Sequence, residues 1–294
     1  MNKILIIGSS GQLGNELKKI LSKSSILLTP LKQELDINNI NEIPKYLGIN
    51  KPDVIINCAA YHVLKDCEMY PEQAFKTNGS AHLPFIEYCN FNNKLYISYS
   101  SDYVFDGKLG SSYKESAKPN PLQIYGMSRF LGEQIIQKYC TSSFYIIRTC
   151  GLYGINYSKS RGGNFISKCI NQIKLDKNIK VSSEMIISPT YCVDLAESTI
   201  KLILSNANSG IYHLVNEGSC TWYDFASLAS KLYFGRNYVN KVTRSLSHDG
   251  FLRPEFSALK NIKAKKMGIL LPSWDAALKI YILEFLKSEK NELK

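Results

Sequence analysis

The sequence predicts an α/β fold, a doubly wound parallel sheet with a smaller C-terminal substrate-binding lobe. Short apolar runs alternate with amphipathic stretches through the first half, a glycine-rich turn joins the first run to the first such stretch, and the alternation stops near Tyr153. The runs 4–7, 26–28, 54–56, 95–98 and 145–147 are bounded by polar or turn residues, the pattern of parallel strands buried on both faces. Stretches 12–21, 71–90 and 123–139 are amphipathic and predict the helices between them. Alternation of this kind builds a Rossmann-type sheet with helices on both sides.

After Tyr153 the rhythm changes. Residues 155–163 are polar and include Gly162 and Gly163, a loop signal, and helices are expected over 193–204, 222–233 and 275–286 with short strands among them. Residues 210–214 are expected to return to the main sheet. No repeat, linker or low-complexity tract divides the chain. The expected organisation is therefore an NAD(P)-binding domain over 1–152, with about 191–215 returning to it, and a lobe made of 153–190 and 216–294.

The 294 residues suffice to bury a substantial core. No apolar run approaches the roughly 18 residues that span a bilayer, and the N-terminus lacks an export-like segment, so a cytoplasmic protein without membrane insertion is expected. Eight cysteines stand at 58, 67, 89, 140, 150, 169, 192 and 220 with no CxxC pair. They read as small buried hydrophobes, and neither disulfides nor a metal site is expected. The net charge of +11 is spread along the chain in ones and twos, which argues against nucleic acid and suits a small ligand carrying several phosphates.

The stretch GSSGQLG (8–14) directly follows the first strand and opens a helix. Gly8, Gly11 and Gly14 permit a tight turn and close backbone approach, and the helix start at Gln12 and Leu13 offers free N–H groups to a pyrophosphate. No acid ends the second strand to hold a ribose 2′-hydroxyl. Lys32 stands nearby instead, and favours NADPH over NADH if it meets a 2′-phosphate rather than solvent. Ser101 falls at the carboxyl edge of the fourth strand, where ligands bind in open parallel sheets. Tyr125 and Arg129 lie four apart on one helix and share a face, where a cation can stabilise a phenolate. Hydroxyl, phenol and cation are the set a carbonyl reductase uses: Tyr125 as proton donor, Ser101 as hydrogen-bond donor to the same oxygen.

In order and spacing, GSSGQLG, LDI (35–37), DVIINCAAY (53–61), SSDYVFDG (100–107), YGMSR (125–129), RTCGLYG (148–154), SPTYCVDLA (188–196), GIYHLVNEG (210–218) and RPEFSAL (253–259) resemble the dTDP-4-dehydrorhamnose reductase family of extended short-chain dehydrogenases. The resemblance covers nearly the whole chain. It implies reduction, by NADPH or NADH, of the C4 ketone of a nucleotide-diphosphate 4-keto-6-deoxyhexose in cell-surface polysaccharide synthesis, and is compatible with a homodimer. Ser101, Tyr125 and Arg129 fall on its catalytic places. Asp36, Ile37, Ala59, Ala60 and Tyr61 join the glycine turn and Lys32 as cofactor contacts. Asp102, Val104, Asn164 and Arg253 join Ser101 on the substrate side, an amide and a fixed cation suiting hydroxyl and diphosphate groups. Four departures stand out: Arg129 for the family lysine, His62 for a threonine, SEMII (183–187) before the SPT, and Gly151 for a tryptophan. They leave open two alternatives, a cofactor-binding regulatory subunit and a nucleotide-sugar epimerase.

Overall fold

The computed structural model describes residues 2–156, 162–176, 178–243, 250 and 252–292. Its strands are β1 (Lys3–Ile7), β2 (Ile26–Leu28), β3 (Val54–Asn57), β4 (Leu95–Ser101), β5 (Phe144–Thr149), β6 (Leu152–Tyr153), β7 (Ile179–Ser182), β8 (Ile186–Ile187), β9 (Thr190–Tyr191), β10 (Gly210–His213), β11 (Cys220–Thr221) and β12 (Val239–Val242). The helices are α1 (Gln12–Leu21), α2 (Ile43–Asn50), α3 (Leu64–Met69), α4 (Pro71–Asn78), α5 (Leu83–Asn92), α6 (Ile124–Tyr139), α7 (Phe165–Asp176), α8 (Cys192–Leu204), α9 (Trp222–Phe234), α10 (Ile262–Lys266) and α11 (Trp274–Glu292).

Six strands form one all-parallel sheet in the order β10-β5-β4-β3-β1-β2. Successive side chains on a strand point to opposite faces, and both faces here are apolar. Ile4 and Ile6 of β1 pack with Leu17 of α1 and Leu195 of α8, whereas Leu5 and Ile7 pack with Leu47 of α2, Phe85 of α5 and Ile136 of α6. Each such fully buried side chain stabilises the fold by about 1.5–3 kcal/mol. The strand order reverses between β1 and β3, and their carboxyl ends therefore open a crevice at the switch point.

A second core lies beyond the sheet, where Tyr153, Ile166, Tyr191, Phe225, Tyr281 and Phe285 join α7, α9 and α11. Residues 216–294 do not all belong to it. Ala264, Ile269 and Leu271 pack into the core beside α1 and α8, so the chain touches the main sheet again before α11. The expected strand over 210–214 does return, as β10 beside β5.

Several local expectations differ from the structure; the last helix, for one, runs Trp274–Glu292 rather than 275–286. The single helix expected over 71–90 is broken into α4, a 3₁₀ turn (Ser80–His82) and α5. Gly79 leaves helical geometry at φ −117° and ψ −89°, and Pro84 has no N–H with which to continue the ladder. Strand β4 runs three residues further than 98, because its parallel pairing with β5 persists to Ser101 opposite Thr149. Of the loop expected over 155–163, residues 157–161 lie outside the described residues.

Candidate active site

The glycine turn is built by steric necessity. Gly8 has φ +75°, and a Cβ there would stand 2.9 Å from the Ala59 nitrogen; one on Gly14 would stand 2.3 Å from the Gly8 carbonyl oxygen. Only hydrogen at both places lets β1, α1 and the turn after β3 approach this closely. The N-cap of α1 is Gly11, which makes no side-chain cap, so the first N–H groups of the helix are left for a ligand. The side-chain oxygen of Gln12 is buried with no protein partner.

Across the crevice, the Cys58–Tyr61 turn is held by two asparagines. Asn57 Oδ1 accepts from the Ala59 N–H (3.0 Å). Asn78 accepts from the Tyr61 N–H (2.9 Å) and donates to the Tyr61 carbonyl (2.7 Å) and to Ser128 Oγ (2.9 Å). Ser128 in turn donates to the Tyr125 carbonyl (2.8 Å), so the turn and the start of α6 are clasped together. His82 supports this clasp as a neutral ring. Burial, and then the nearby Arg129 guanidinium, push its pKa down to about 3. Its Nε2 faces the Asn78 carbonyl (3.1 Å), which can only accept, so Nδ1 accepts from the Tyr96 hydroxyl (2.6 Å).

Tyr125 begins α6, and Arg129 follows one turn later with Nε 3.5 Å from the phenol oxygen and Cζ 5.7 Å from the ring centre. Arg129 is buried and makes no ion pair among the described residues. One turn further, Glu133 receives Arg148 of β5 in a bidentate pair (2.8 and 2.6 Å) and the Ser100 hydroxyl of β4 (2.5 Å). Both charges of that pair are 1% exposed. It fixes the face of α6 that carries Tyr125 and Arg129 against the sheet.

Ser101 ends β4 as the N-cap of a 3₁₀ turn, accepting from the Tyr103 N–H (3.1 Å) and donating to Asp102 Oδ1 (2.9 Å). Asp102 is buried and also accepts from Ser257 Oγ (2.6 Å), 155 residues away. Burial pushes its carboxyl above the usual range, against the hydrogen bonds from Ser257, Cys150 and Ser101. The thiols of Cys58 and Cys150 are likewise pushed up by burial, which makes them poor nucleophiles.

One cleft of about 610 Å³ joins these parts. Gly8, Gly11, Gln12, Leu13, Gly14, Lys32, Ala59, Ala60, Ser101, Asp102, Tyr125 and Arg129 all line it. Lys32 does so from an exposed position, and its 3.8 Å approach to Asp36 is a weak surface pair. Six expected contacts lie outside the lining. Asp36 caps its own turn through Asn38, Ile37 is buried in the sheet core, Tyr61 is clasped by its backbone, Val104 packs with Phe105 and Cys150, and Arg253 lies within electrostatic reach of Tyr103. Asn164 also stands apart, its amide spent on the Gly154 carbonyl, the Tyr281 hydroxyl and the Ser167 N–H. The cleft adds residues that motif reading passed over, Ser10, Cys58, Tyr99, Ser100, Thr149, Cys150, Leu152 and Gly163, and brings in His62 and Gly151. Ser10, Cys58, Ser100, Thr149, Cys150 and Leu152 sat inside the recognised motifs, and for Cys58, Ser100, Thr149 and Cys150 the signal was the strand-end position itself.

All eight cysteines are free, and no group of acids, histidines and cysteines able to hold a metal occurs among the described residues. Nor is any helix among them long and apolar enough to cross a membrane.

A dinucleotide crevice with a serine, a tyrosine and a cation at its mouth defines a protein of the extended short-chain dehydrogenase class. Within it, the family model described as the RmlD substrate binding domain matches residues 1–287, and the chain belongs to that family. It is 33% identical to the spore coat polysaccharide biosynthesis protein SpsK of Bacillus subtilis (strain 168), over 97% of this chain and 98% of that one. A dTDP-4-dehydrorhamnose reductase from Clostridium acetobutylicum ATCC 824 superposes with a TM-score of 0.90 at 32% identity, covering 97% of this chain and 99% of the other. The enzyme of that name from Bacillus anthracis str. Ames, solved in complex with NADP, gives 0.88 at 30% identity, covering 96% and 99%.

Proposed function

We propose that the protein reduces the C4 ketone of a dTDP-linked 4-keto-6-deoxyhexose with NADPH, as in dTDP-L-rhamnose synthesis. The observation that carries this reading is the single cleft shared by the glycine turn, Ser101, Tyr125 and Arg129. The Gly8 and Gly14 cradle and the uncapped start of α1 fit the pyrophosphate of a dinucleotide, and the unpartnered Gln12 oxygen is an acceptor for a donor such as a ribose hydroxyl. When bound, NADPH supplies the hydride that reduces the ketone carbon. Tyr125 donates its phenolic proton to the ketone oxygen, and Ser101 hydrogen-bonds the same oxygen. Arg129 balances the charge left on Tyr125 and has further N–H groups for the cofactor ribose, in one plane rather than from a compact head. Lys32 meets the 2′-phosphate. On the substrate side, Arg253 is the cation for the diphosphate, and Asn164 holds the start of α7 rather than the sugar. The lobe built around α7, α9 and α11 supplies the nucleotide end of the site.

The test is NADPH oxidation by the purified protein against dTDP-4-dehydrorhamnose and matching GDP- and CDP-linked 4-keto-6-deoxyhexoses, with the product configuration determined. Stoichiometric reduction of the dTDP sugar is expected. NADPH binding without oxidation of any sugar would overturn the reading in favour of a regulatory cofactor-binding subunit. A configuration change without net NADPH oxidation would point to an epimerase.

A further inference from the structure

Ser101 has one proton to give, and the structure shows it given to Asp102. A hydroxyl donates once and accepts twice. Here its donor is spent on Asp102 Oδ1 and one acceptor site on the Tyr103 N–H. A ketone oxygen can only accept, so Ser101 cannot reach it while Asp102 takes the proton. We propose that Asp102 is a positioning residue that works in its neutral form, donating to Ser101 and so turning the Ser101 hydroxyl onto the substrate oxygen. The inference rests on the reductase reading of this site.

The hydrogen bonds that join Asp102 to Ser101 and Ser257, and Ser101 to Tyr103, each keep a donor and an acceptor in this state. With a proton on Oδ1, Asp102 donates to Ser101 Oγ, the Tyr103 N–H still donates to the same oxygen, and the hydroxyl proton is released towards the cleft. Oδ2 continues to accept from Ser257 Oγ at 2.6 Å. The groups facing the carboxyl carry no positive charge, and the hydrogen bonds they donate are outweighed by the burial that disfavours the carboxylate. Cys150 faces it from beyond β5, Ser257 from the 253–259 return and Tyr103 from its own turn, and Asp102 makes no ion pair among the described residues. Arg253 lies near Tyr103, and Tyr125 faces Tyr103 at 6.0 Å between ring centres. With its burial and no paired cation, the carboxylate is the disfavoured state, consistent with the upward direction of its pKa. The proton comes from solvent and stays on Asp102 through the turnover. Hydride goes to carbon and the Tyr125 proton to oxygen, so the reaction balances without it.

Because Ser257 belongs to the segment carrying Arg253, the same carboxyl links the catalytic serine to the chain that reaches towards the nucleotide. Gly107 makes that contact close, since a Cβ on it would stand 2.6 Å from the Glu255 nitrogen.

The experiment compares wild type, Asp102→Asn and Asp102→Ala in NADPH oxidation with dTDP-4-dehydrorhamnose across pH, with NADPH affinity and thermal midpoint measured on each. Asparagine copies the neutral acid, because its amide donates to Ser101 and its oxygen accepts from Ser257. It is expected to keep kcat within about tenfold of wild type and to lose a limb in which wild-type activity falls as pH rises. Alanine is expected to lose on the order of 100-fold in kcat, the scale of one misdirected oxyanion donor. The proposal is overturned if asparagine is as inactive as alanine while still folded and binding NADPH, or if its high-pH limb matches the wild type. Infrared difference spectra of the NADP-bound protein decide independently of turnover. A protonated-carboxyl band absent from Asp102→Asn should persist well above pH ~4, the ordinary carboxyl range. Its loss at about pH 4 would refute the proposal even if no sugar is reduced, and its persistence in an inactive protein would leave the reductase reading as the one that failed.

Discussion

Replacing Glu133 by alanine tests whether the active-site helix is held by the buried ion pair behind it. The substitution removes the acceptor of three hydrogen bonds, two from Arg148 and one from Ser100, in a place where both charges are 1% exposed. Arg148 would keep its charge with no anionic partner, since its Nη1 already lacks one and its other neighbours are the Phe105 ring at 5.0 Å and the neutral, buried His213. Stranding one member of a buried pair costs about 3–5 kcal/mol. At about 2 °C per kcal/mol for a chain of this size, that is a fall of roughly 6–10 °C in thermal midpoint. Glu133→Leu combined with Arg148→Met removes both charges and fills the space, so it should recover most of the loss. Urea titrations followed by circular dichroism, with thermal melts beside them, measure both variants. Since Tyr125, Arg129 and Glu133 stand four residues apart on one helix face, the double variant should regain stability yet keep a lowered kcat. A single variant costing less than about 1 kcal/mol, or a double variant no better than the single, would refute the reasoning.

Three further outcomes are expected. Tyr125→Phe should abolish reduction of dTDP-4-dehydrorhamnose while leaving NADPH affinity within a few-fold, by nicotinamide fluorescence titration; near-normal turnover would mean that another acid protonates the oxygen. Arg129→Lys should raise kcat roughly tenfold, about 1.4 kcal/mol of barrier, because an ammonium can serve phenol and ribose together, whereas Arg129→Ala should fall far below both. Kinetics in which arginine equals or exceeds lysine would show a pocket shaped around the guanidinium. Lys32→Ala should weaken NADPH binding by several-fold and leave NADH unchanged, and equal effects on the two cofactors would remove Lys32 from the 2′-phosphate site.

The sheet and the cofactor turn were legible because their signals are local. Five apolar runs bounded by turn residues mark strands wherever they occur, and the spacing of Gly8, Gly11 and Gly14 after the first of them needs no knowledge of the rest of the chain. Tyr125 and Arg129 meet because four residues make about one helical turn, and the sequence by itself determines that they share a face. What lies across the sheet could not be read this way. The pairing of Glu133 with Arg148, the Asn78 clasp on Tyr61 and the Ser257 bond to Asp102 join residues 15, 17 and 155 positions apart. No periodicity encodes such contacts, which exist only once parallel strands and their crossovers have set the path of the chain. For the same reason Asn164, an amide suited to sugar hydroxyls, invited a substrate role, while in the fold its amide is taken up by Gly154, Ser167 and Tyr281. Sequence decided which chemical groups stand at the strand ends, because register along a strand or helix is a property of the local chain. Tertiary structure decided which of them face a common cleft and which are spent on holding it, because buried donors and acceptors must be satisfied by whatever the fold brings beside them.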